Sequence, residues 1–370
     1  MTYNPQRLRF ARQRRRLTIK ALAEAAHLDS KTISAYENQS SGQLPTDSSM
    51  TKIALALNYP LHFFQKDDTP ILLDDAVSFR AATKLSQKNK HAAIRAGELA
   101  KEFNQWLEDN FTLPANQVPA LEPTEYNDAM TAAEILRQHW QLGERSIHNM
   151  VHLLESKGVR VFSLAENCLA VDAFSFWEDD TPYILLNRMK SPERSRFDAA
   201  HELGHLVMHK FSQNKGPEAE RQANEFASAF LMPEASIKSI LKPAPSMQQL
   251  IRQKQNWKVS LAALVRRSKE LGFSTDWHYR QLSIQLAKQG YRTQEPQGLE
   301  EHETSLILHK VINALRSHGI TQAQILEKLG WPIDELKSLT FGMGLGLHII
   351  MSDSRQLNNT VNKARLRIVK

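Results

Sequence analysis

Apolar residues recur every three or four positions over residues 4 to 65, in the segments "QRLRFARQRRR", "TIKALAEAA", "SKTISAYEN" and "DSSMTKIALAL". Each segment after the first opens on Thr, Ser or Asp, which cap the N-terminus of a helix, so the pattern predicts short helices joined by turns. "KDDTPILLDDAVSFR" then reads as a connector with a short extended piece, and a longer helix is predicted over roughly 87 to 110. Three prolines in "LPANQVPALEP" mark a boundary.

Two further helices follow, "NDAMTAAEILRQHWQLG" and "SIHNMVHLLESKG", and then the period changes. "VRVFSL", "NCLAVDAFSFW" and "PYILLN" are β-branched and aromatic runs between polar turns, which predicts a small antiparallel sheet. "SPERSRFDAAHELGHLVMH" returns to helix, with Ser191 as cap and Pro192 at the first helical position. After the loop "KFSQNKG" comes a second helix, "PEAERQANEFASAFLM", stopped before Pro233. The remainder is helical. "ITQAQILEKLGWPIDELKSL" has the outline of a second helix-turn-helix with Leu329, Ile333, Leu336 and Leu339 as its packing stripe, and a small bundle for packing or oligomerisation fits it equally well. "GMGLGLHIIMSD" lacks the Lys-Ser/Thr that a phosphate loop needs. The expected architecture is multidomain and mainly α with an α+β middle domain: a helical bundle at 1–68, a helical connector at 69–123, the middle domain with its helical extension at 124–295, and a helical domain at 296–370.

Charge sharpens the first of these. The 370 residues carry a net +7, and residues 1 to 65 hold nine basic and four acidic side chains, which points to a polyanion partner for the front domain. Cys168 is the only cysteine, so neither an intramolecular disulfide nor a multi-cysteine metal site is available, and a cytoplasmic location is expected. No apolar run approaches the ~18 residues of a membrane span, and no secretory leader precedes the Arg-rich start, which disfavours a secreted enzyme.

In the front domain, Thr18 to Ala26 would brace, His27 to Asp29 would turn, and Ser30 to Asn38 would read DNA. With Ala21, Leu22, Ala25, Leu28, Ile33 and Tyr36 packed inward, Ser30, Lys31, Ser34 and Ala35 face outward. The order L-x-x-x-R-x-x-x-x-T, L-A, a turn and I-S-x-Y-E-N resembles the XRE/Cro-type repressor domain over about 60 residues, with Gln39 where that family usually has glycine. The resemblance implies that Ser30, Lys31, Ser34 and Ala35 approach base edges of double-stranded DNA, while Arg12, Arg14, Arg15, Arg16 and Lys20 neutralise phosphates. Ser30 and Lys31 carry most of the expected specificity, because Ser34 and Ala35 have little hydrogen-bonding reach.

The strongest chemical signal is His201, Glu202 and His205 in "FDAAHELGHLVMH". A chain of this composition would contain the pattern by chance about 4 times in 100, so context decides. On a helix the two histidines sit one turn apart on one face, a spacing that lets both bind one Zn2+, and Glu202 lies about 100° round, beside the open coordination position. Three such groups inside a core without a metal would each need separate hydrogen-bond partners. Glu220, fifteen residues after His205 on the next helix, is a third ligand candidate, with Glu225 as the competing choice on another face. Asn224, one turn beyond Glu220, is placed to orient a ligand.

"RFDAAHELGHLVMH" followed by "EAERQANEFASAFLMP" resembles the ImmA/IrrE family of gluzincin-type metallopeptidases, and the likeness extends upstream through "LLESKGVRVFSL" and "DAFSFWEDDTPYILLN" and downstream through "WKVSLAALVRRSKELG". It implies zinc ligands His201, His205 and Glu220, with Glu202 as the base that takes the proton of the attacking water. "DAFSFW" and "PYILLN" are expected to offer a sheet edge to a substrate backbone, and Tyr183, His209 and Arg196 are the candidates for stabilising the oxyanion. The fusion implies a transcription regulator, expected as a homodimer with no membrane association, whose peptidase cleaves a helix-turn-helix repressor or itself in stress response, mobile-element control or phage defence. The alternative from another class is a repressor or antitoxin whose zinc domain senses a ligand or partner without proteolysis.

Overall fold

The computed structural model describes residues 3–73, 78–80, 86–164, 171–211 and 216–343. Cys168, all of the glycine-rich segment after Met343 and the basic tail lie outside the described residues. In chain order the elements are α1 (Pro5–Arg14), α2 (Ile19–Ala26), α3 (Ser30–Glu37), α4 (Asp47–Leu57), β1 (Ser78–Arg80), α5 (Gln87–Asn110), α6 (Ala129–His139), α7 (Met150–Ser156), β2 (Arg160–Ser163), β3 (Ala173–Glu178) and β4 (Thr181–Leu186). They continue with α8 (Pro192–Met208), α9 (Pro217–Leu231), α10 (Glu234–Ile240), α11 (Met247–Trp257), α12 (Leu261–Glu270), α13 (Asp276–Lys288), α14 (Leu306–Ser317), α15 (Gln322–Leu329) and α16 (Ile333–Leu339). The architecture is mainly α with a small sheet in the middle region, and the chain divides into two units.

The first unit joins residues 1–72, 86–114 and 306–370. Its helices begin where the caps dictate: Thr18 accepts from the Ala21 N–H, Asp29 from Lys31 and Thr46 from Ser49. Leu8, Phe10, Leu22, Ile33, Ile53, Leu57 and Phe63 close one core. The helix expected as a connector, α5, packs along α1, and the C-terminal helices return to it: the rings of Phe103 and Trp331 lie 6.0 Å apart. Residues 306–343 therefore share the unit of the front helices rather than standing as a separate domain. The reason is chemical. Glu335 of α16, 2 % exposed, accepts from Arg14 Nε at 2.9 Å and from the Tyr59 hydroxyl at 2.8 Å, and Arg15 pairs with Asp334 at 2.5 Å.

The second unit, residues 73–85 and 115–305, holds a four-stranded sheet in the order β1-β3-β4-β2. β3 and β4 form the expected antiparallel hairpin, with Ser175 opposite Ile184 and Phe176 opposite Tyr183. β2 joins β4 in parallel, so the sheet is mixed rather than purely antiparallel. Period-two patterning fixes which residues share a face but not the direction of the neighbour. β1, the extended piece of the connector, pairs antiparallel with β3, Ser78 opposite Ser175. β3 and β4 are thus inner strands, and the expected sheet edge belongs to β1 and β2 instead.

α8 lies on one face of this sheet, against β3 and β4, with Trp177 Nε1 donating to the Leu206 carbonyl at 3.2 Å. Its N-terminus is capped by Ser191 and tied down by Glu193, whose carboxylate receives Lys254 at 3.2 Å. α9 packs along α8, with residue 209 against 222, 205 against 220 and 204 against 226.

Candidate metal centre and nucleic-acid interface

Every side chain of the His-Glu-x-x-His motif is buried: His201 and Glu202 are 0 % exposed and His205 is 5 %. Helical pitch brings His201 Nε2 to 3.1 Å from His205 Nε2, as one turn on one face should. Glu220 of α9 completes the set, its Oε2 3.3 Å from His201 Nε2 and its Oε1 3.2 Å from His205 Nε2. Glu225, the competing candidate, is bound instead to Arg221.

These separations test the donor set. Ligands about 2.0–2.1 Å from a tetrahedral ion lie about 3.3–3.4 Å from one another, close to the three observed distances. With both imidazoles protonated at Nε2 the carboxylate could accept from each, but the two Nε2–H groups would then oppose one another at 3.1 Å, a conflict that an ion taking all three lone pairs removes. A divalent transition-metal ion fits, and two imidazoles with one carboxylate are the nitrogen and oxygen donors it takes. Burial works to raise the Glu220 carboxyl, but the facing imidazoles of His201 and His205 outweigh it and hold the group well below its ordinary value.

Close helix packing makes the third ligand reachable. A Cβ on Gly204 would stand 3.0 Å from Phe226 Cδ1, so the glycine lets α9 approach α8 at the level of the motif. Asn224 donates to the Glu220 backbone carbonyl at 2.7 Å, one turn further along α9.

Two interactions have no counterpart in the sequence reading. The Ser175 hydroxyl donates to Glu202 Oε2 at 2.7 Å and so aims the carboxylate expected to act as base. A serine in an apolar strand gives no local signal, and only the strand's register against α8 brings it to Glu202. His209 continues the row one turn beyond His205, with its Nδ1 2.9 Å from His205 Nδ1 and its Nε2 3.0 Å from Gln222 Oε1. Burial lowers the His209 pKa below the usual histidine value, favouring the neutral ring.

The three oxyanion candidates are corrected. Paired residues of neighbouring strands project to the same face and successive residues alternate, so Ser175 and Ile184 face α8 while Phe176 and Tyr183 face away from it. Tyr183 accordingly stacks on Phe176, ring centroids 4.8 Å apart, on the far side of the sheet from the histidines. Arg196 is 2 % exposed and engaged with Glu303 and the Ile147 carbonyl. His209 lies behind His205, with both ring nitrogens engaged.

In the first unit α2, a three-residue turn and α3 form the expected helix-turn-helix. Lys31 and Ser34 are exposed on α3, Ser30 and Ala35 are half-buried beside them, and Lys20 is exposed on α2. Ala25, expected to pack inward, is exposed, and Ala23 and Ala26 take the core positions. The arginines expected at phosphates divide. Arg12 forms a two-pronged bond with Glu37, at 2.6 and 2.7 Å. Arg14 is 8 % exposed and bound to Glu335, and Arg15 is bound to Asp334 and to the Leu57 carbonyl, so neither presents a free guanidinium to a phosphate. Arg16, half-buried, sits in a left-handed turn with φ +58°.

Family models match the region around each candidate site. Residues 8–64 match the helix-turn-helix model and residues 154–269 match the peptidase M78 model, described as an IrrE N-terminal-like domain. No curated protein matches the chain. No helix among the described residues is long and apolar enough to cross a membrane. The chain therefore joins an XRE-type helix-turn-helix domain to an IrrE/ImmA-like domain of the M78 peptidase family.

Proposed function

We propose that this protein is a DNA-binding transcription regulator whose second unit is a zinc-dependent peptidase, with His201, His205 and Glu220 as ligands and Glu202 as general base. The observation that carries the reading is the convergence of His201 Nε2, His205 Nε2 and Glu220 at 3.1 to 3.3 Å, with Glu202 buried on the same helix and held by Ser175. A purely structural metal would have no use for that carboxylate.

Zinc, when bound, supplies a Lewis acid that polarises the scissile carbonyl and makes water acidic near neutral pH. The rest is done by the chain. Glu202 takes a proton from the attacking water and passes it to the leaving amine, and the Ser175 hydrogen bond keeps its carboxylate aimed through both transfers. Burial excludes bulk water from the base, and Glu220, held as a carboxylate, supplies the negative charge that balances the ion.

The substrate class proposed is a repressor of the helix-turn-helix type or this chain itself. Cleavage in cis is favoured by β1: it lies between α4 and α5 in sequence and already pairs in extended form with β3 at Ser175, the residue that holds Glu202. On the DNA side, Ser30, Lys31 and Ser34 would approach base edges, with Lys20 and Arg16 at the backbone.

Metal analysis of wild type beside His201→Ala tests the site: near one zinc per chain is expected in the former and far less in the latter. Incubating wild type and Glu202→Gln with helix-turn-helix repressors, and alone, tests the chemistry through the masses of the products. Loss of the base is expected to slow cleavage by about 10²- to 10⁴-fold. Equal rates in the two proteins, or no cleavage by either with zinc fully bound, would overturn the peptidase reading.

A further inference from the structure

We propose that His209 and Gln222 fix the tautomer of His205, so that His205 Nε2 carries the lone pair a metal needs; this rests on the metal-centre reading above. The reasoning starts outside the site, at Glu218. Its carboxylate accepts from Arg221 Nε at 2.9 Å and Nη2 at 2.6 Å, and it can only accept hydrogen bonds. Gln222 Nε2 donates to that carboxylate at 3.3 Å, which turns Gln222 Oε1 the other way, to 3.0 Å from His209 Nε2.

An amide oxygen also only accepts, so the proton of a neutral His209 sits on Nε2. His209 Nδ1 is then an acceptor, and the atom facing it at 2.9 Å is His205 Nδ1, which must carry the other ring's proton. With its one proton on Nδ1, His205 presents a bare Nε2 at 3.2 Å from Glu220 Oε1 and 3.1 Å from His201 Nε2, a lone pair facing a carboxylate that a cation between them would relieve. The reverse polarity would turn the Gln222 carbonyl onto the Glu218 carboxylate, acceptor against acceptor. The tautomer set from Glu218 inward is the one that metal coordination requires from the opposite side.

The same helix thus does two things. α9 offers Glu220 to the ion, and two residues later Gln222 holds His209, through which the ligand His205 on α8 is oriented. His209 and Gln222 are positioning residues, since each acts through His205.

Two-bond ¹H–¹⁵N correlations from the metal-free full chain, labelled at histidine, read the tautomers directly. His205 is expected protonated at Nδ1 and His209 at Nε2. Zinc affinity, measured by competition with a chelator, is expected to fall about 10- to 100-fold in His209→Leu, while His209→Asn, whose amide oxygen can still accept from His205, stays within a few-fold of wild type. Should His209→Leu fail to fold, Gln222→Met at its half-exposed position is expected to scramble the His209 tautomer and weaken zinc in the same direction. His205 protonated at Nε2, or equal weakening in His209→Leu and His209→Asn, would overturn the proposal. A wild-type chain that takes up no zinc would remove the metal reading, and the metal-free spectrum would still decide the tautomer.

Discussion

Replacing Glu335 by alanine should loosen the helix-turn-helix bundle, although the residue lies some three hundred positions beyond it in sequence. Glu335 Oε2 holds Arg14 through Nε at 2.9 Å and Nη2 at 2.8 Å, and its Oε1 holds the Tyr59 hydroxyl at 2.8 Å, with Arg15 at 3.4 Å. All of this is enclosed: Arg14 is 8 %, Tyr59 4 % and Glu335 2 % exposed. Removing one partner of a buried pair costs about 3–5 kcal/mol, because the other charge stays buried. The stranded Tyr59 hydroxyl adds about 1–3 kcal/mol on its own, and since the two losses share one cavity the expected total is about 4–5 kcal/mol. Asp334→Ala provides the contrast. Its side chain is 44 % exposed, so its pair with Arg15 should be worth no more than about 1 kcal/mol.

Hydrogen exchange on the full chain, read by mass spectrometry, assigns the loss to segments. In Glu335→Ala, amides of α1 to α4 and of α14 to α16 should exchange faster together, by roughly a thousandfold where global opening of this unit controls exchange. Glu335→Gln, which keeps one oxygen acceptor and replaces the other with an uncharged amide nitrogen, should lie between. A change confined to α14–α16, or a loss under about 1 kcal/mol, would refute the reasoning that this carboxylate welds the C-terminal helices to the reader.

Ser175→Ala should leave zinc content unchanged and lower the cleavage rate about 10- to 100-fold, the value of one hydrogen bond to a charged acceptor; an unchanged rate would remove Ser175 from the machinery. Lys31→Ala should weaken operator binding, whereas Arg14→Ala should lower stability more than the salt dependence of binding, and a flatter slope of affinity against salt in Arg14→Ala would contradict its burial. Gly204→Ala should cost about 1–3 kcal/mol and weaken metal binding, since the added methyl must displace Phe226 and with it α9; calorimetry and chelator competition read the two effects. Burial lowers the pKa of His302 and of His309, so between the ordinary histidine value and the folded one the unfolded chain binds more protons and stability rises with pH. Urea midpoints should accordingly fall as pH is taken from 7.5 to 5.5, and His302→Gln should flatten that fall.

What the sequence revealed and what it hid follow from the distance over which each feature is specified. His201 and His205 are set one turn apart by the helix itself, and a short loop returns α9 to α8, so Glu220 could be found by counting. The caps at Thr18, Asp29 and Ser191 are equally local. Tyr183 shows the opposite case. Its parity along β4 was available, but the face that parity puts it on depends on which face α8 covers, and that is a property of packing. Ser175 was hidden for the same reason; the extended piece of the connector was legible, but its pairing with β3 was not.

The arginine run illustrates how charge counting misleads when it stops at the segment. Nine basic residues among the first 65 suggested a broad cationic face. In the folded unit Arg7 is matched by Glu102, Arg12 by Glu37, Arg14 by Glu335 and Arg15 by Asp334, and three of those four partners come from α5 and α16. What stays exposed is Arg9, Lys20, Lys31 and Lys52, of which Lys20 lies at the start of α2 and Lys31 at the start of α3. Among the first 65 residues the exposed cations are thereby reduced to these four, two of them on the helix-turn-helix itself. An arginine at a phosphate and an arginine in an internal ion pair look identical in sequence; the difference lies in a carboxylate more than three hundred residues away, and that carboxylate makes α16 part of the DNA-reading unit.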